Sequence, residues 1–192
     1  MPVLISVVGA LLVTCGCGGR AIVPASFETF NSKDGSFKVQ YPAKWEADGG
    51  GRSGYYWAKF SSGNASITVD TSAAGSLIAD IAKMGMVRGG SMVTPEDLVP
   101  VAVVHETERQ GFEESGSVKE QKPAVALTGF GDSRKSEYTG KTTFGGSIHG
   151  YRVTALSSEK RIRVVCQCPE SEWAALKPAF DKVIESVTRG TL

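Results

Sequence analysis

The side chains of this 192-residue chain with the clearest capacity for chemistry are two histidines, four cysteines and a group of arginines. His105 is followed directly by Glu106, and His149 precedes Gly150-Tyr151-Arg152. A histidine near a carboxylate can carry protons, so His105, Glu106 and His149 are the candidates for an acid–base pair of a hydrolase. Their spacing lacks the His-Glu-x-x-His frame that sets two imidazoles on one helix face around zinc. Cys166-Gln167-Cys168 is the sharpest thiol feature. In a strand, residues two apart share a face, which predicts both thiols beside Ile162 and Val164 as small buried apolar groups. A metal site needs about four ligands, and an extended i, i+2 disulfide strains the Cα–Cα limit of about 7 Å. A redox role in an oxidising compartment is the alternative.

Arg134, Arg152, Arg161 and Arg163 fall in strand-like segments and converge on an anion-binding patch if those segments are neighbours. The corresponding ligand pocket is lined by Arg134, His149 and Arg152. Gly49-Gly50-Gly51 and Gly145-Gly146 lack the Lys-Ser/Thr, or the strand–loop–helix setting, of a phosphate cradle. These patterns assign no catalytic residue, no metal and no cofactor.

Composition narrows the class further. Lys plus Arg number 21 against 20 Asp plus Glu, a net charge of +1, without the basic excess of a nucleic-acid binder. Hydrophobic residues at 41% and charged residues at 21% are those of a globular chain, and the length suits one domain. The 23 glycines suggest a turn-rich fold with several strands.

Met1 to Gly19 carries no charged side chain, and its apolar run Val3 to Val13 is too short for the roughly 20 residues of a membrane span. It has the length of a secretory h-region. Thr14-Cys15-Gly16-Cys17-Gly18 follows, and an apolar run closed by a small residue and a cysteine resembles the lipobox of bacterial lipoproteins. In that family the cysteine becomes the acylated first residue. Gly16 before Cys17 fits better than Thr14 before Cys15, so Cys17 is the expected lipidation site and Cys15 the second choice. Residues 1–16 then form a signal peptide, 17–26 a tether and 27–189 a single domain. The expected location is the bacterial cell envelope, with the membrane reached through the lipid anchor.

The elements that must position these residues follow from periodicity. Phe37-Val39-Tyr41 alternates with polar neighbours, and Tyr55–Phe60 with Ala65–Thr71 forms a hairpin about Ser61-Ser62-Gly63-Asn64. Gly49-Gly50-Gly51 predicts a loose turn. Helices are expected over Gly75–Met86 and Val101–Glu114, with a capped turn from Thr94. Strands are expected at Ala124–Gly129, Arg134–Thr139, Ile148–Leu156 and Lys160–Cys166. Trp173, Leu176, Phe180, Val183, Ile184 and Val187 make the apolar stripe of a closing helix. Pro178 inside it predicts either a kink or a turn over Ser171–Leu176 before a helix from Lys177. The sum is an α+β fold on a mainly antiparallel sheet.

Ser36-Phe37-Lys38-Val39-Gln40-Tyr41-Pro42-Ala43-Lys44-Trp45 resembles the opening motif of the PsbP-like superfamily. Leu176-Lys177-Pro178-Ala179-Phe180 with Val183-Ile184-Glu185-Ser186 is similar to its closing helix. The superfamily includes the extrinsic photosystem II subunit, the Ran-binding nuclear import factor and bacterial lipoproteins. The resemblance implies an α/β/α sandwich and a binding or assembly role, with no shared catalytic residues to carry over. The expected function is a non-enzymatic envelope lipoprotein that binds an unknown protein partner, the alternative being a small-ligand or anion-binding periplasmic module.

Overall fold

A computed structural model describes residues 19–52, 54–74, 100–157 and 159–190. Its elements are β1 (Phe27–Asn31), β2 (Lys38–Pro42), β3 (Glu46–Arg52), β4 (Tyr55–Ser62), β5 (Ala65–Ala73), α1 (Pro100–Gly116), β6 (Val118–Glu120), β7 (Ala124–Val125), β8 (Asp132–Lys141), β9 (Ser147–Leu156), β10 (Lys160–Pro169) and α2 (Trp173–Glu185). One antiparallel sheet runs in the order β3-β4-β5-β10-β9-β8-β6, with β7 beside β8, and β1 and β2 form a separate hairpin. Cys15 and Cys17 lie outside the described residues, as do the helix expected over Gly75–Met86 and the turn from Thr94.

The pleat sorts the side chains as alternation predicts. Ile162, Val164, Cys166 and Cys168 are buried on one face of β10, while Arg161 and Arg163 point to the other. Their cross-strand neighbours extend the apolar layer: Val153 and Val69 flank Val164, and Tyr151 and Ile67 flank Cys166. The α2 helix lays Trp173, Leu176, Phe180, Val183 and Ile184 onto this layer. Phe37, Val39 and Trp45 close it from the β1–β2 side, with Tyr41 stacked on Phe60 at 4.4 Å and Trp45 edge-on to Phe180. On the opposite face α1 buries Val101 and Val104 against Ala74 and Leu156. A helix on each side of an antiparallel sheet is the expected α/β/α sandwich.

Two local expectations change, and of the two alternatives left open at Pro178 the helix starting near Lys177 is the one not seen. Gly49-Gly50-Gly51 is a strand paired with Ala58, Trp57 and Tyr56, not a loose turn. Neighbours occupy the space where side chains would stand: a Cβ at Gly49 would lie 3.0 Å from the Phe30 ring, and one at Gly51 2.4 Å from the Tyr55 carbonyl oxygen. The closing helix begins at Trp173, after a 3-10 turn over Glu170–Glu172, and runs through Pro178. Burial of the Trp173 and Leu176 side chains sets the start, at the cost of one backbone hydrogen bond. The strand expected over Ala124–Gly129 shortens to two residues.

Residues expected in the tether lie against the domain. The Ala21 amide donates to Glu172 Oε2 at 3.1 Å, the Ile22 amide to Ser62 Oγ at 3.0 Å, and Trp45 Nε1 to the Ile22 carbonyl at 2.9 Å. Among the described residues no helix is long and apolar enough to cross a membrane.

Two glycines in regular elements separate packing from propensity. Gly111 in α1 has open space where a Cβ would go, whereas at Gly150 in β9 a Cβ would meet the Cys166 carbonyl oxygen at 2.2 Å. Urea denaturation is expected to show Gly111→Ala stabilising by about 0.5–1 kcal/mol. Gly150→Ala is expected to destabilise by about 1–3 kcal/mol.

Candidate functional site

The polar face of the sheet gathers most of the charged residues that the sequence singles out. Pairing sets Arg134 opposite Thr154, Thr154 opposite Arg163 and Arg163 opposite Asp70, a row across four strands. Arg152 lies opposite Ser136 on the same face. The four arginines are therefore neighbours across β8, β9 and β10.

Carboxylates meet most of that positive charge. Arg163 Nε donates to Asp70 Oδ2 at 2.9 Å, and Arg161 Nη2 lies 3.8 Å from Asp70 Oδ1. Arg161 Nη1 also contacts Glu108 of α1. Arg152 and Glu120 are wholly buried and meet as a fork, Nε to Oε1 and Nη2 to Oε2, the latter at 2.7 Å. Arg152 Nη2 additionally donates to the His105 carbonyl at 2.9 Å. Arg134 donates to the Ser133 carbonyl at 3.1 Å.

His105 is sealed between α1 and the sheet. Its Nδ1 lies 2.9 Å from Thr154 Oγ1 and its Nε2 2.7 Å from Ser136 Oγ. Burial, reinforced by the positive charges of Arg152, Arg134 and Arg109, pushes its pKa down to about 3. The ring is neutral at physiological pH and cannot reach a substrate. Glu106 is more than half exposed and faces Arg109 instead.

His149 occupies the other face of the sheet. It is three residues from Arg152 in one strand, and an odd separation reverses the pleat. Its ring stacks on Trp173 with centroids 3.9 Å apart. Nε2 lies 2.7 Å from Glu137 Oε1, and Nδ1 lies 3.0 Å from Glu170 Oε2. The structure thus brings Arg134 and Arg152 together and sets His149 apart, so the three do not line one pocket. His105, Glu106 and His149 are likewise dispersed, and no acid–base pair forms from them.

Cys166 and Cys168 are free and buried among the apolar core. Burial raises both thiols, Cys168 to about 12, with Glu172 and Glu170 adding to its rise. A thiol held in its neutral form is a poor nucleophile or metal ligand. The residues that sequence reasoning missed are Asp70, Glu108 and Glu120, the counter-ions of the arginine face. Asp70 carried a weak signal, a carboxylate in the strand pattern Ile67-Thr68-Val69-Asp70; nothing local marks the half-buried Glu108 or the buried Glu120 as partners.

An antiparallel sheet with a helix on each face, closed by an aromatic hairpin and a C-terminal helix, makes an α+β sandwich whose fold is similar to that of PsbP. The solution structure of cyanobacterial PsbP (CyanoP) from Synechocystis sp. PCC 6803 matches it with a TM-score of 0.57 at 16% identity, covering 93% of this chain and 98% of that one. Looser matches are LpqN of Mycobacterium tuberculosis, described as involved in cell envelope biogenesis (TM-score 0.48, 10% identity, 86% and 91% coverage), and PA94 of Pseudomonas aeruginosa, a protein of unknown function (TM-score 0.44, 11% identity, 86% and 99% coverage). No protein-family model matches the sequence, and no curated protein does.

The sealed histidine gives a pH signature. In the unfolded chain His105 titrates near 6.5, while in the fold it stays neutral to about 3. Between those values the unfolded state binds the extra proton, so stability falls as pH falls, by up to about 1.4 kcal/mol per unit. Chemical denaturation between pH 6.5 and 5 is expected to give a flatter stability profile for His105→Asn than for the wild type.

Proposed function

We propose that this chain is a bacterial cell-envelope lipoprotein, acylated on Cys17 or less favourably Cys15, whose PsbP-like domain is a non-enzymatic protein-binding or assembly module. The observation that carries the reading is the use already made of the reactive side chains. His105 is locked between α1 and the sheet, His149 lies between two carboxylates, and both described thiols are raised and buried. Groups committed in this way hold a scaffold together and are withheld from substrate. The lipobox-like Gly16-Cys17 supplies the anchor, and an acylated chain needs no spanning helix.

The protein made in a bacterium with its own signal is expected to partition into detergent, with an intact mass of cleavage before Cys17 plus acyl chains. Cys17→Ala is expected to abolish both. A tagged lipidated form is expected to recover one reproducible envelope partner. An unmodified full-length mass overturns the anchor, and repeated recovery of no specific partner overturns the module.

A small anion on the arginine face is the second reading. Among the described residues, Arg152 Nη1 and Arg161 Nε are buried without a hydrogen-bond partner, as is Glu108 Oε2, which lies 3.9 Å from that Arg152 nitrogen. Asp70, Glu108 and Glu120 balance Arg152, Arg161 and Arg163 there, which weighs against it. Thermal denaturation with millimolar phosphate or sulfate decides, because a ligand of the folded state raises Tm. An unchanged Tm is expected, and a rise favours the anion module.

A further inference from the structure

The N-terminal segment reaches the domain at one end of the sheet. Gly63, in the turn between β4 and β5, packs against the backbone of Gly19–Ala21, and the Ile22 amide is tied to Ser62 next to it. The β8–β9 hairpin turns at that same end. Ile148 pairs with Pro169 in β10, and Gln167, two residues earlier, pairs with Ser66 in β5. Three strand spacings, about 14 Å, separate the two turns across the sheet.

The tip of the β8–β9 hairpin carries Phe144, which is 99% exposed. A fully exposed aromatic ring costs solvation with nothing gained in the isolated domain. The loop that presents it is built. The Thr142 amide donates to the Gly146 carbonyl and the Gly145 amide to the Thr142 carbonyl, both at 2.8 Å. The Gly146 amide donates to Thr142 Oγ1 at 3.0 Å, and Gly145 takes a φ of +82° that favours glycine. Ile22 and Val23, 46% and 58% exposed, stand beside the Gly63 turn. Arg20, Lys44 and Lys141 are exposed at this end, together with Glu46 and Glu170.

We propose that this end of the domain contacts the bilayer, with Phe144 inserted at the interface and Ile22-Val23 at the rim. The inference rests on the lipoprotein reading for its anchor. Cys17 precedes Gly19 by two residues, at most about 7 Å of chain, so acyl chains there bring this end to the membrane. Acyl chains hold the protein down but leave it free to tilt. A second apolar contact about 14 Å away, on a hydrogen-bonded hairpin, fixes how the domain stands.

The test uses the full chain with its own signal, carrying Phe144→Trp and purified from bacterial membranes. It is reconstituted in vesicles of phosphatidylethanolamine and phosphatidylglycerol, with and without bromine near the headgroup end of the acyl chains. The wild type, with Trp45, Trp57 and Trp173, is the baseline to subtract. The added indole is expected to shift its emission to the blue and to be quenched by the brominated lipid. Emission that stays water-like and unquenched overturns the proposal. So does a blue shift that appears equally without vesicles as protein concentration rises, which assigns the tip to a second copy. Intact mass of the same sample reads the acylation separately, so a failed anchor and a failed contact surface are told apart.

Discussion

The buried ion pair of Arg152 and Glu120 is the constraint around which the polar side of this fold is organised. A guanidinium out of water needs its charge met by a partner, and breaking such a pair typically costs about 3–5 kcal/mol. Glu120 is held on three sides. Its carboxylate forks onto Arg152, its amide donates to Glu113 Oε1 at 2.8 Å, and its carbonyl accepts from Arg109 Nη2 at 3.0 Å. Arg152 in turn takes the His105 carbonyl and lies over the Phe112 ring. His105, Arg109, Phe112 and Glu113 all belong to α1, so one pair fixes the helix against β6 and β9.

The two helices are therefore docked by different physics. The α2 helix is held by an apolar layer of large side chains, non-directional and tolerant of small shifts. Among the described residues the α1 helix buries few apolar side chains, in a small cluster, and depends on directional contacts, which admit one register. His105, Arg152 and Glu120 are the fastening between a weakly apolar helix and a charged sheet face.

Much of the scaffold is legible in the sequence because its causes are local. Alternation finds β4, β5, β9 and β10, the spacing from Trp173 to Val187 finds α2, and the i, i+2 rule sets Cys166 and Cys168 in the core. The same rule applied to His149 and Arg152, three apart in one strand, puts them on opposite faces of the sheet. What stays hidden has non-local causes. Gly49-Gly50-Gly51 looks like a turn because the rings of Phe30 and Tyr56 that displace its side chains come from other strands. Glu120 looks like one more surface carboxylate, since its partner lies 32 residues away.

The sheet also relates the two ends of the molecule. Its longest strands have 10 residues, about 33 Å of rise, and run between the end that receives the N-terminal segment and the end that bears the β9–β10 turn. The helices α1 and α2 cover the two faces of the sheet, and the glycine-rich β3 lies on one edge. An edge strand offers unpaired backbone groups along its length, and β3 has little side chain to obstruct an incoming strand. On the proposed lipoprotein reading, the surfaces left to a partner are the lateral ones, and tilt decides which of them is presented. Orientation is on that proposed reading a functional variable, because a module that works by binding acts through what it holds and at what height.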